Sequence, residues 1–304
     1  MIFKKFLLIL CLIMGLAQIL VISHNLYYDK FGLVKQKNEI LITSDERYSK
    51  YLLSYKYIPE NYDGILIGPS VSGNLNTSNI SNYKIYNASV NGGNYSELKL
   101  ISERVLQSNK IKFLIICLHP YASKNSNLKT NQINSKFYWL NLVGIEPISY
   151  KIKSLFKKQL NNVNTFHSSK DGYNDFNLLN ENVNLQNIIN STKNDPNYNK
   201  DIFIDPKSLE DLQIIINNAH KNDIKIVSYF FPYYFELLEN QKRSGSWNVY
   251  KNKISQLFSE EDILLDMNEI EFKHINQDIK SYSDGHLSYI GADKVIKEIV
   301  KKLP

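Results

Sequence analysis

The sequence predicts an α/β fold: about five parallel strands between two layers of helices, with an Asn-rich insertion and an apolar segment in front. Three observations predict it. From about Tyr57 onward, short apolar runs alternate with amphipathic stretches, the pattern of repeated strand–helix units. Three of the runs that read as strands end at Gly68 or just before Pro120 or Pro232, as buried strands do where a loop begins. The 304 residues are 43% hydrophobic, with 21 Tyr, 14 Phe and only 12 Gly and 8 Pro. That is enough apolar material for a large core and excludes a disordered or fibrous chain.

The first element is apolar. Residues 6–23 read FLLILCLIMGLAQILVIS, 18 positions without a charge and with one Gln. At about 1.5 Å per residue they reach roughly 27 Å, enough to cross the hydrocarbon core of a bilayer. Lys4 and Lys5 precede the run, as a cytoplasmic N-terminus would have it. A cleaved signal peptide would use Gly15 and Ala17, but the apolar run continues past them through Ile22. The expected organisation is therefore a cytoplasmic N-terminus (1–5), a single transmembrane anchor (6–23), a linker or stalk (24–56) and an extracytoplasmic domain (57–304).

Within that domain, strands are expected at 63–68 (DGILIG), 84–88 (KIYNA), 112–118 (KFLIICL), 225–231 (KIVSYFF) and 263–266 (ILLD). Helices are expected at 94–108, 206–219 and 291–303, where Leu, Ile and Val recur at helical spacing. Residues 122–205 break this rhythm. Positions 161–200 hold 13 Asn among 40, and such a stretch reads as a lid or an insertion. Within it, 150–160 (YKIKSLFKKQL) has the pattern of a basic helix.

Charge and cysteine exclude several classes. The net charge of +6 comes from lysines scattered along the chain, without the basic stripe that nucleic acid needs. Cys11 lies in the apolar run and Cys117 in a strand, so neither a disulfide scaffold nor a cysteine-built zinc site is expected. No metal-ligand spacing or phosphate loop stands out, and no cofactor is expected.

Three constellations could carry chemistry. Ser70 follows the first strand in Gly68-Pro69-Ser70, at the carboxyl edge where open α/β sheets place their sites; it or Ser72 could equally cap a helix. Asn87-ASVNGG-Asn94 follows the second strand. There Gly92 and Gly93 free the backbone to approach a ligand, and Asn94 could cap the next helix or touch substrate. Ser283-DGHLSYIGA precedes the last helix and sets Asp284 two positions before His286, a carboxylate able to orient an imidazole. His119 ends the third strand on the same edge as Ser70 and could bind substrate. His24, His167, His220 and His274 read as incidental.

Together these pieces resemble the SGNH (GDSL-type) hydrolase superfamily, over the order and spacing of 57–304. The Asp63-to-Ser70 run looks like its first block, Gly92 falls where the second supplies an oxyanion glycine, and Asp284-Gly-His286 looks like the last. The last block is commonly D-x-x-H where this chain has D-x-H, a variant of exported relatives that modify polysaccharides. The third block, G-x-N-D, is replaced by Leu118-His119-Pro120-Tyr121. The resemblance implies a flavodoxin-like three-layer α/β/α sandwich. It also implies a catalytic Ser70, Asp284 and His286, with an oxyanion hole from the N–H groups of Ser70 and Gly92. The membrane-anchored type is similar to the D-alanylation proteins of teichoic acids and implies acyl transfer to or from a surface glycan, with a membrane acyl-donor protein as partner. Two other classes stay open: a non-catalytic protein binding glycan or a membrane partner through the same cleft, and a glycan-active enzyme using paired carboxylates.

Overall fold

A computed structural model describes residues 2–34, 46–80, 82–128, 133, 136–145, 147–149, 152, 170–174, 185–193, 202–243, 245–283 and 285–303. The helices α1 (Ile2–Tyr28), α2 (Glu46–Leu53) and α3 (Tyr57–Asn61) precede the sheet. Then follow β1 (Gly64–Ile67), α4 (Ser70–Gly73), β2 (Ile85–Asn87), α5 (Tyr95–Leu106) and β3 (Phe113–Leu118). After these come α6 (Lys136–Val143), α7 (Leu185–Lys193), α8 (Pro206–Lys221) and β4 (Lys225–Phe230). The chain closes with α9 (Phe235–Arg243), α10 (Ser246–Ser255), β5 (Ile263–Asp266), α11 (Lys273–Asn276) and α12 (Tyr289–Val300).

All five strands are parallel, in the order β2-β1-β3-β4-β5. The expected flavodoxin-like sheet is thus present, with helices on both faces. Successive strand residues point to opposite sides, so the sheet divides its apolar side chains between two cores. Ile65, Ile67, Leu114 and Ile116 meet Leu98 and Ile101 of α5, Leu212 and Ile216 of α8 and Trp247 of α10. Leu66, Phe113, Ile115 and Val227 meet Leu237 of α9 and Val295, Ile296 and Ile299 of α12. Because the order reverses between β1 and β3, their carboxyl ends open the crevice in which such sheets bind ligands. Ser70 follows β1 and His119 follows β3.

Two regions differ from expectation. The linker or stalk over 24–56 contains α2, whose Tyr48, Tyr51, Leu52 and Leu53 are buried in the first core. Tyr48, Tyr51, Leu52 and Tyr55 recur at helical spacing, so the segment packs as an amphipathic helix. In the insertion, α6 and α7 are described, whereas the basic helix expected over 150–160 lies outside the described residues except Ile152. Asp284 and His167 also lie outside them.

Helix α1 runs unbroken through the apolar segment, and among the described residues it is the one helix long and apolar enough to cross a membrane. Asp29 closes it, its carboxylate accepting from the N–H groups of Leu33 and Val34. The two cysteines stand apart in character, Cys11 exposed on α1 and Cys117 buried in β3.

Candidate active site

The first turn after β1 is built for close approach. A Cβ on Gly68 would fall 2.3 Å from Ser72 Oγ and 2.6 Å from Cys117 Cβ, so only glycine lets the chain leave β1 against β3. Pro69 then enters α4 in an extended conformation, and Ser70 is its first residue, partly exposed at the sheet edge.

The second loop is laid beside the first by continued pairing beyond β2. Ala88 N–H donates to the Leu66 carbonyl over 2.7 Å, and Val90 N–H to the Gly68 carbonyl over 2.9 Å. Asn87 then closes α4 from below, its side-chain amide donating to the carbonyls of Ser72 (2.8 Å), Leu75 (3.0 Å) and Gly73 (3.2 Å). Such carbonyls at the end of a helix have no partner within it, so the amide supplies what the backbone cannot. The Ser72 and Ser89 hydroxyls join over 2.8 Å. Beyond Asn91 the chain turns through Gly92 with a left-handed φ of +60°.

The third loop is a tight hairpin. Tyr282 pairs with Leu287 in an antiparallel bridge, and Ser283 N–H donates to the His286 carbonyl over 3.0 Å. Leu287 is buried below, and Ser288 caps α12 by accepting from Gly291 N–H. The imidazole of His286 is thus held at the hairpin tip, facing α4. His286 Nε2 lies 3.2 Å from Ser70 Oγ, across 216 positions of sequence. With the proton on Nδ1, Nε2 accepts from the Ser70 hydroxyl, the arrangement that lets an imidazole deprotonate an attacking oxygen.

His119 is placed near this pair but engaged elsewhere. Tyr121 N–H donates to its Nδ1 over 3.1 Å, which leaves the proton on Nε2, 2.8 Å from the Tyr233 hydroxyl. Burial, helped by the neighbouring charges of His286 and Lys124, pushes its pKa down to about 3. His119 is therefore a neutral imidazole at working pH. Asn94 is 1% exposed and caps α5: it accepts from Glu97 N–H, while Glu97 accepts from its own N–H. Both hydrogens of its side-chain amide are used by Asn125 Oδ1 and the Asn127 carbonyl. The side chain of Asn94, considered for substrate contact, is thus buried and engaged in shaping the turn that follows Gly92.

Sequence reasoning missed the support behind the second loop. Lys50 of α2 is fully buried and donates to Glu46 Oε1 over 2.9 Å and to the Ser89 carbonyl over 2.5 Å. Glu46 Oε2 accepts from Asn91 N–H over 2.8 Å. Arg47 bonds Glu97 over 3.0 Å and also donates to the Asn91 carbonyl. Burial alone would raise the Glu46 pKa, but Lys50, the Asn91 N–H and Asn174 outweigh it and hold the carboxyl below its ordinary value. Burial lowers the Lys50 pKa against the opposing pull of Glu46. Three charged residues within five positions, E-R-x-x-K, would ordinarily face solvent, and only Tyr48 between them and Tyr51, Leu52 and Leu53 after them hinted at burial.

Two incidental histidines pair with carboxylates, His220 with Asp262 at 2.9 Å and His274 with Glu298 at 3.2 Å. A cavity of about 390 Å³ lies against α12, lined by Asn79, Ile80, His274 and Lys294, and neither Ser70 nor His286 lines it.

No protein-family model matches the sequence, and no curated protein matches it. Among solved structures, one likeness of this chain is to a Streptococcus pneumonia protein provisionally described as a platelet activating factor, at TM-score 0.44 and 10% identity. That likeness covers 85% of this chain and 92% of the other. Another is to an acetyl xylan esterase, AlAXEase, at TM-score 0.39 and 15% identity, covering 77% of this chain and 98% of the other.

Proposed function

We propose that the protein is a membrane-anchored serine acyl-transfer enzyme of the SGNH type, an O-acyltransferase or esterase acting on a surface glycan from the extracytoplasmic side. The observation that carries this reading is the 3.2 Å approach of His286 Nε2 to Ser70 Oγ at the carboxyl edge of the sheet. Ser70 Oγ attacks an ester carbonyl while His286 takes its proton and later returns it to the leaving alcohol. Asp284 holds the imidazole and stabilises its charged form. The N–H groups of Ser70 and Gly92 receive the developing oxyanion, each such donor being worth roughly 3–4 kcal/mol in comparable sites.

The acyl-enzyme then passes its acyl group to water or to a sugar hydroxyl. The apolar helix α1 keeps the site near a membrane-bound glycan and a membrane acyl donor, which favours transfer over hydrolysis. Neutral His119 and Tyr233 line the approach without competing for the proton that His286 moves.

The test is covalent labelling with a fluorophosphonate, which reacts only with an activated serine. Wild type is expected to label at one site, and S70A and H286A to lose labelling and ester turnover together. Labelling retained in S70A, or no labelling of wild type, overturns the reading and leaves a glycan-binding protein. Turnover that survives S70A but not loss of an Asp or Glu would point to paired carboxylates.

A further inference from the structure

Helix α6 presents its side chains the wrong way round for a protein surrounded by water. Its inward face carries Asn141, buried and accepting from the Tyr48 hydroxyl over 2.7 Å, and Tyr138, stacked on Tyr55 with ring centroids 4.4 Å apart. Its outward face carries Trp139, Leu140 and Val143, and Ile145 follows; Trp139 and Ile145 are 65% and 66% exposed. Residues 137–145 (FYWLNLVGI) contain no charge. Exposed apolar side chains gathered on one face in this way mark a surface that something covers.

What covers it follows from its neighbour. The last carbonyls of a helix lack partners within it, and in α6 they are taken by side chains of α1. Asn25 donates to the carbonyls of Gly144 (2.8 Å) and Leu142 (3.1 Å), and Gln18 donates to that of Val143 over 2.5 Å. Gln18 is the one amide side chain in the apolar run 6–23. It stands five residues before Ser23, about 7.5 Å down the helix axis. If α1 crosses a bilayer, the end of α6 therefore straddles the level at which the apolar run ends, from Gln18 below it to Asn25 two residues beyond it. A backbone carbonyl at the depth of Gln18 finds no water and must be satisfied by protein, which is what Gln18 does for Val143.

We propose that α6, with Ile145 beyond it, is seated among the lipid acyl chains of the leaflet at the C-terminal end of α1, so that the folded unit lies on the membrane. This rests on α1 spanning the bilayer and goes beyond the reading of Ser70. Trp139 is then an interfacial anchor, its amphipathic ring placed near the headgroup boundary.

The test uses the full chain in phosphatidylcholine liposomes carrying bromine at defined acyl positions. The protein has two tryptophans, and Trp247 is 2% exposed in the core, so W139F supplies the baseline. Wild type is expected to lose emission most with bromine at shallow acyl positions, and W139F is expected to show no such loss. Equal quenching of the two forms overturns the proposal. Absence of quenching with crosslinking between W139C chains assigns the face to a second copy and overturns it as well. Release of the protein by alkaline carbonate overturns the span and the seating together. Fluorophosphonate labelling of Ser70 is read separately and moves with none of these outcomes.

Discussion

The side-chain amide of Asn74 donates to the main-chain carbonyl of Leu287 over 2.6 Å, joining two loops 213 positions apart. Asn74 ends the turn that Ser70 begins, and Leu287 follows His286 directly. One buried hydrogen bond therefore ties the loop of Ser70 to the loop of His286.

Asn74→Ala is expected to slow fluorophosphonate labelling of Ser70 while leaving the sheet intact. The lost amide leaves a buried carbonyl unpaired, at about 1–3 kcal/mol. The larger effect is on alignment, since a displacement near 1 Å costs on the order of 100-fold in rate. Labelling rate beside circular dichroism checks it: equal rates for the two proteins would show that the bond does not align the pair.

Removing Lys50 alone should be worse than removing its pair. K50M strands the Glu46 carboxylate in the core and is expected to cost about 3–5 kcal/mol, whereas E46Q/K50M should recover much of that loss. Urea unfolding of the two single variants and the double variant measures the coupling. Additive losses would mean that the two side chains do not depend on each other.

His119 predicts a pH dependence of stability. Its folded pKa of about 3 lies below the ordinary 6.5, so the unfolded chain takes up a proton first as pH falls. Stability is fully present above about pH 6.5 and declines toward pH 3. H119Q should flatten that decline. Urea midpoints followed from neutral to acid pH test it, and parallel curves for the two proteins would refute it.

Asn94→Ala should weaken the fold rather than substrate binding. Loss of the cap is expected to cost about 0.5–2 kcal/mol, with KM for an ester substrate unchanged. A raised KM at unaltered thermal stability would restore a substrate contact to Asn94.

The strands were legible because each is a short apolar run, three of them stopped by Gly68, Pro120 or Pro232, and a fully buried parallel strand leaves little else in the sequence. Ser70 and His286 could be placed on one edge because each stands a fixed distance from an element with clear periodicity. Helix α2 was not legible, because Glu46, Arg47 and Lys50 carry the mark of a solvated face. Besides one another, Glu97 and Asn174, their partners are main-chain groups of Ser89 and Asn91, and main-chain partners leave no trace in side-chain identity. The tether from Asn74 was hidden for the same reason. The outward apolar face of α6 was obscured by the polar composition around it, which made the whole insertion read as irregular.

The grip of α2 on residues 89–91 bears on how the protein can be trimmed. A version begun at residue 57, cut to escape the greasy leader, would also discard Tyr48, Leu52 and Leu53 from the core and both salt-bridged partners of the second loop. The strip of chain leading to Gly92 would then keep its bonds to Leu66, Gly68 and Ser72 but lose the ones α2 makes to the Ser89 carbonyl and the Asn91 N–H. Any water-soluble derivative that keeps this support has to start upstream of Glu46.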